Sequence, residues 1–148
     1  MTYSADIVIE SETGQPIAIV EVIAVAYLDR AEAIGTRQNL VADYSLPRTP
    51  FLLLVSQDRG FLWSTWPDSP DADMPDLEFS MEPVVRRFAP EVAEGERLRG
   101  ESLRLVVFQW LLHLTAPTSP NGAGDVPLRN TPFARAIQYG RVLIGAPV

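Results

Sequence analysis

Residues 16–27 read PIAIVEVIAVAY, and this run decides the fold. From Ile17 to Ala26 it is apolar and rich in Ile and Val, with Glu21 as the exception. A short run of that kind reads as a strand buried on both faces. Upstream, Ile7 and Ile9 alternate with Asp6, Val8 and Glu10, which suits a second, shorter strand. Between the two lies SETGQP (11–16), a turn cluster with Gly14 and Pro16. The pair therefore reads as a hairpin with a loop of about four to six residues. Its turn sets a register in which residue numbers totalling about 27 lie opposite one another. Asp6 then falls across from Glu21.

Downstream the period changes. DRAEAIGTRQNLVADY (29–44) opens with Asp29 and Glu32 in capping-box spacing, so a helix is expected. Its apolar stripe is Ala33, Ile34, Leu40, Val41 and Tyr44, and SLPRTP ends it because proline cannot continue a helix. FLLLVSQDRGFLWST (51–65) reads as a buried strand, a turn at QDRG and a second strand ending at Trp63. WPDSPDADMPDLEFS (66–80) is acidic and proline-rich and reads as an exposed irregular loop. MEPVVRRFA (81–89) is a short helix candidate. SLRLVVFQWLLHLT (102–115) is a strong one, with Leu103, Val106, Val107, Trp110 and Leu114 near one face. APTSPNGAGDVP (116–127) reads as a loop. TPFARAIQYGRVLIGA (131–146) reads as a last helix ending at Gly140, followed by a short apolar tail. The order predicts one mixed α/β domain over residues 1–148, a central sheet flanked by helices. Its core spans 5–65 and its C-terminal half, 81–148, is helical.

Composition narrows the function classes. The 148 residues carry a net charge of −7, which argues against nonspecific attraction to nucleic-acid phosphates. All 12 basic residues are arginine. With no lysine, no Schiff-base chemistry or lysine general base is available. With no cysteine there is no disulfide, thiolate nucleophile or thiolate metal site. The single histidine, His113, excludes a histidine triad or a multi-histidine zinc site, and reads as packed or surface-facing. Trp63, Trp66 and Trp110 read as core or loop anchors. Arg86, Arg87, Arg97, Arg99 and Arg104 are interleaved with glutamates, which suits a solvated face. No apolar run reaches the roughly 20 residues of a membrane span. The start, MTYSADIVIE, lacks the pattern of a signal peptide, and a cytoplasmic location is expected.

Glu21 is costly where it stands. A lone carboxylate inside an apolar strand needs a partner, a metal or a water-filled cleft. Two facing carboxylates repel unless a cation lies between them, and Mg²⁺ is commonly held by one or two carboxylates. Asp6 and Glu21 are thus the candidate metal ligands, their carboxyl groups expected within roughly 4–5 Å of each other. Glu10, on the Asp6 face, is a candidate assisting residue. Ile23 shares the face of Glu21, since residues two apart in a strand point the same way.

An aspartate opening one strand, a turn, and a glutamate inside the next apolar strand resembles the PD-(D/E)XK nuclease superfamily. The following helix with RQNL and the strand pair in TPFLLLVSQDRGFLWS are similar to its type I restriction subunit N-terminal-like branch. The resemblance covers about residues 5–65 and implies a restriction-endonuclease-like sheet. It implies that Asp6 and Glu21 are catalytic and share Mg²⁺, and that Ile23 occupies the position of the lysine that aligns the attacking water. Arg37 and Gln38, on the helix after this strand, are candidates to replace that lysine. Arginine cannot act as a base, though it can hold a phosphate. The family's first helix and first strand are expected to be missing. The leading reading is a degenerate, non-cleaving nuclease-like domain that binds a nucleic acid or a protein partner. The alternatives are an active Mg²⁺-dependent nuclease with the lysine role moved, and a structural domain that forms homo-oligomers.

Overall fold

The computed structural model describes residues 5–24, 28–44, 49–64, 74–92, 95–116 and 126–145. Two strands open the chain, β1 (Ile7–Glu10) and β2 (Pro16–Val22). They pair antiparallel with Ile7 against Val20, Val8 against Ile19 and Ile9 against Ala18. Each of these pairs totals 27, the register expected from the turn. The register slips after Ile9, so Glu10 meets Pro16. The turn closes through Ser11, whose amide donates to the Gln15 carbonyl (2.8 Å) and whose carbonyl accepts from Gly14 (2.9 Å). Gly14 has φ +85°, a conformation glycine adopts without penalty.

Helix α1 (Arg30–Tyr44) then crosses over to β3 (Phe51–Val55), which runs parallel to β2. Asp29 caps α1 as expected, its Oδ1 accepting from the Glu32 amide at 2.8 Å. β4 (Arg59–Trp63) returns antiparallel to β3 through the QDRG turn. Next comes β5 (Leu77–Ser80), antiparallel to β4. The expected loop over 66–80 is therefore corrected: its last four residues are an edge strand. Sheet pairing with β4 supplies the backbone partners that the acidic composition did not advertise. Residues 65–73, including Trp66, lie outside the described residues.

Three helices follow: α2 (Glu82–Phe88), α3 (Gly100–Thr115) and α4 (Pro132–Ile137). The chain then re-enters the sheet as β6 (Arg141–Ile144), antiparallel to β1. This corrects the expectation that residues 81–148 are helical with an apolar tail. Among the described residues the sheet has six strands in the order β5-β4-β3-β2-β1-β6. Only β2 and β3 are parallel neighbours. Gly140, just before β6, permits the close approach. A Cβ there would sit 2.5 Å from the Glu10 carbonyl oxygen and 2.9 Å from that of Ile137.

Side-chain alternation splits the core into two layers. Ile7, Ile9, Ala18, Val20, Leu53 and Leu62 face α2, α3 and α4. All five stripe residues expected on α3 are buried there. Val8, Ile19, Leu52, Leu54, Phe61 and Trp63 face α1 with its Ala33, Ile34 and Leu40. The result is a mixed α/β fold, one sheet flanked by helices on both faces. No helix among the described residues is long and apolar enough to cross a membrane.

Candidate functional site

Asp6 stands one residue before β1, so continuing the register places it across from Glu21. The two carboxylates have different surroundings. The Val22 amide donates to Oδ2 of Asp6 at 2.8 Å, and Arg104 of α3 brings Nη2 to 3.7 Å from Oδ1. Asp6 thus closes the open end of the hairpin and leans toward the α3 layer. Glu21 has Leu54 as its neighbour on β3, and Leu54 belongs to the α1 layer. Alternation with Ile19 and Ile23 sets Glu21 in that same layer, half-buried. One sheet end therefore holds both residues, the Asp6 carboxylate turned to the Val22 amide and Arg104, and Glu21 set in the α1 layer.

Ile23 follows β2 and packs against the α1 layer as a partly buried apolar side chain. Its amide donates to the Val55 carbonyl at 2.7 Å, extending the pairing with β3. An isoleucine fits there because its neighbours are Ile19, Leu54 and α1, and burial removes apolar surface from water.

A divalent ion would have to compete with the Arg104 guanidinium beside Asp6. No group of three or more His, Asp or Glu side chains able to hold a metal occurs among the described residues. The arrangement fits a capped hairpin end better than a metal cradle. Glu10 is at the far end of β1, where Arg141 Nη2 lies 2.8 Å from its Oε1 across the β1–β6 pair. It does not join Asp6 and Glu21. Gln38 is exposed on the outer side of α1.

Arg37, a candidate to replace the lysine, lies in the core. It is 1% exposed, among the largest fully buried side chains, and its guanidinium carbon lies 5.4 Å from the centre of the Trp63 ring. One turn beyond Ala33, it falls in the inner stripe of α1 that the apolar pattern had left for Ala33, Leu40 and Val41. Glu21 and Arg37 accordingly put opposite charges into one layer, where low dielectric strengthens their attraction. A charged residue at i+4 of a buried alanine was the only sequence signal for this. Arg104 gave none, because its contact with Asp6 joins elements nearly a hundred residues apart.

Glu78 holds α1 to the sheet from the other end. It bridges Arg30 of α1 and Arg59 of β4, each at 2.9 Å. The hydrogen bond from Arg30 is the main reason its carboxyl is held below the usual carboxylate range, opposed by partial burial.

His113 sits half-buried on α3, edge-on to Phe88, with Nε2 against Nη2 of Arg129. Burial lowers its pKa below 6.5, and the nearby charges of Arg129 and Arg87 lower it further. The unfolded chain then binds the proton more readily than the folded one. Stability from this source is complete above about pH 6.5 and is lost as pH falls through the lowered folded value. Urea midpoints are expected to fall between about pH 7 and about pH 5, and to fall less in His113→Gln. Equal slopes in the two proteins would remove His113 as a cause.

Comparison of the chain with protein-family models, with curated proteins and with solved structures finds no significant match.

Proposed function

We propose that the chain is a nuclease-like domain that has lost cleavage and acts by binding a partner. The observation that carries this reading is the use made of the three key positions. Asp6 caps the Val22 amide beside Arg104, Glu21 lies in the α1 layer, and Ile23 is packed into that layer. The hairpin followed by a helical crossover to a parallel strand supports the same ancestry. A net charge of −7 favours a protein partner over nucleic acid.

The test combines cleavage and metal binding. The purified protein is expected to leave single- and double-stranded DNA and RNA intact with millimolar Mg²⁺ or Mn²⁺. Its melting temperature should not rise with Mn²⁺. Ile23→Lys should lose about 1–3 kcal/mol and gain no cleavage, since its ammonium would replace a packed apolar side chain in a layer that already buries the Arg37 charge. Cleavage that Glu21→Gln abolishes would overturn the proposal in favour of an active Mg²⁺-dependent nuclease.

A further inference from the structure

A cavity of about 340 Å³ lies between the end of α3 and α4, on the side of the molecule carrying His113. Its polar lining is Arg129, Asn130, Arg135 and Gln138, and the rest is Leu114 and two alanines. No carboxylate lines it among the described residues, although the chain is strongly acidic overall.

Among the described residues, Arg129 and Arg135 form no ion pair with an acidic side chain, unlike Arg30, Arg59, Arg86, Arg97, Arg104 and Arg141. Arg129 is oriented through Nη2 by His113, whose Nε2 accepts because a guanidinium can only donate. Its buried Nε has no hydrogen-bond partner among the described residues.

The cavity wall is also built under strain. Leu128 and Tyr139, with φ +70° and +65°, are the non-glycine residues with positive φ among the described residues. They bracket the segment that supplies all four polar lining residues. Such backbone persists where surrounding contacts enforce it, and it concentrates at binding sites. The enforcing contacts are present. Thr131 donates its hydroxyl to the Leu128 carbonyl at 2.6 Å and accepts from the Ala134 amide at 3.2 Å. The Tyr139 amide donates to the Thr115 carbonyl at 2.8 Å, tying the other end to α3. That bond also covers one of the carbonyls at the negative end of α3, which would otherwise repel an anion.

We propose that this cavity binds a small organic anion, with Arg129 and Arg135 pairing its carboxylate or phosphate oxygens. Arginine's planar fork suits both groups. Asn130 and Gln138 supply amides for the remaining oxygens, and Leu114 with the alanines takes the apolar part. A volume near 340 Å³ is that of a small-ligand site and exceeds what a bare inorganic ion fills.

Benzoate and phenyl phosphate serve as probes, with benzamide as the uncharged control. Each is titrated into the intact protein while the side-chain amide resonances of Asn130 and Gln138 are followed by NMR. Saturable shifts are expected with at least one anion, and which one responds distinguishes a carboxylate site from a phosphate site. Benzamide should produce none. Arg135→Gln, at an exposed position that should fold normally, is expected to weaken binding about tenfold or more. Arg129→Gln should do the same wherever its spectrum shows a folded protein. No shift with either anion, equal shifts with benzamide, or binding unchanged in Arg135→Gln would overturn the proposal.

Discussion

Arg37→Ala is expected to destabilise the fold by about 2–5 kcal/mol, the range for emptying a large buried site. The side chain fills the space between α1 and the sheet, 1% exposed, with its guanidinium over Trp63. Truncation opens a void that Ala33, Ile34 and Leu40 cannot close without moving the helix. It also removes a stacking contact worth about 2 kcal/mol when desolvated. The Arg30–Glu78–Arg59 bridge would still hold the start of α1, so local loosening should begin nearer its end. Urea unfolding with an unchanged m-value would read the loss. Arg37→Met keeps an unbranched stem and should restore more than half of it. If Met is as damaging as Ala, charge matters more than volume. A fully stable Arg37→Ala would free the residue for a role with a phosphate.

Trp110→Ala is expected to cost about 3–5 kcal/mol. The indole is fully buried on α3, tilted against Phe79 of β5 with ring centres 5.9 Å apart. It thereby connects the helical layer to the edge strand of the sheet. Its Nε1 finds no acceptor among the described residues. Burying an unsatisfied donor is itself unfavourable, so Trp110→Phe removes a cost while keeping most of the ring. The Phe variant should lose less than half of what the Ala variant loses. Equal losses would mean that the indole N–H is satisfied after all, for example by water.

The hairpin was legible because three independent signals agreed: a β-branched run, a turn with Gly14, and a register that the turn dictates. The α3 stripe was legible because five buried positions share one helical face. β5 was not, because Leu77 to Ser80 follow an acidic, proline-rich stretch and only β4 gives them a ladder. β6 was missed for a related reason. Four residues after a helix carry too little pattern, and their partner β1 lies at the other end of the sequence. The candidate site was legible only as far as the hairpin register, which when continued places Asp6 across from Glu21. Their environment was not, since Arg104 and Arg37 arrive from helices whose placement no local pattern encodes. The cavity arginines lie in a short stretch that reads as loop and helix surface, and only folding brings them to one cavity rim.

The pairing of β1 with β6 has a consequence for the order in which the molecule can be completed. Glu10 and Arg141 are 131 positions apart. On a ribosome adding roughly 5–20 residues per second, β1 emerges on the order of ten seconds before its outer neighbour exists. Through that interval the flank of β1 is an open edge, a template for other chains. Gly140 then admits β6 only by threading its backbone against Glu10 and Ile137. The growing chain is therefore exposed to misassociation from the synthesis of β1 until that of β6, and a chaperone that shields strand edges during that interval should raise its yield.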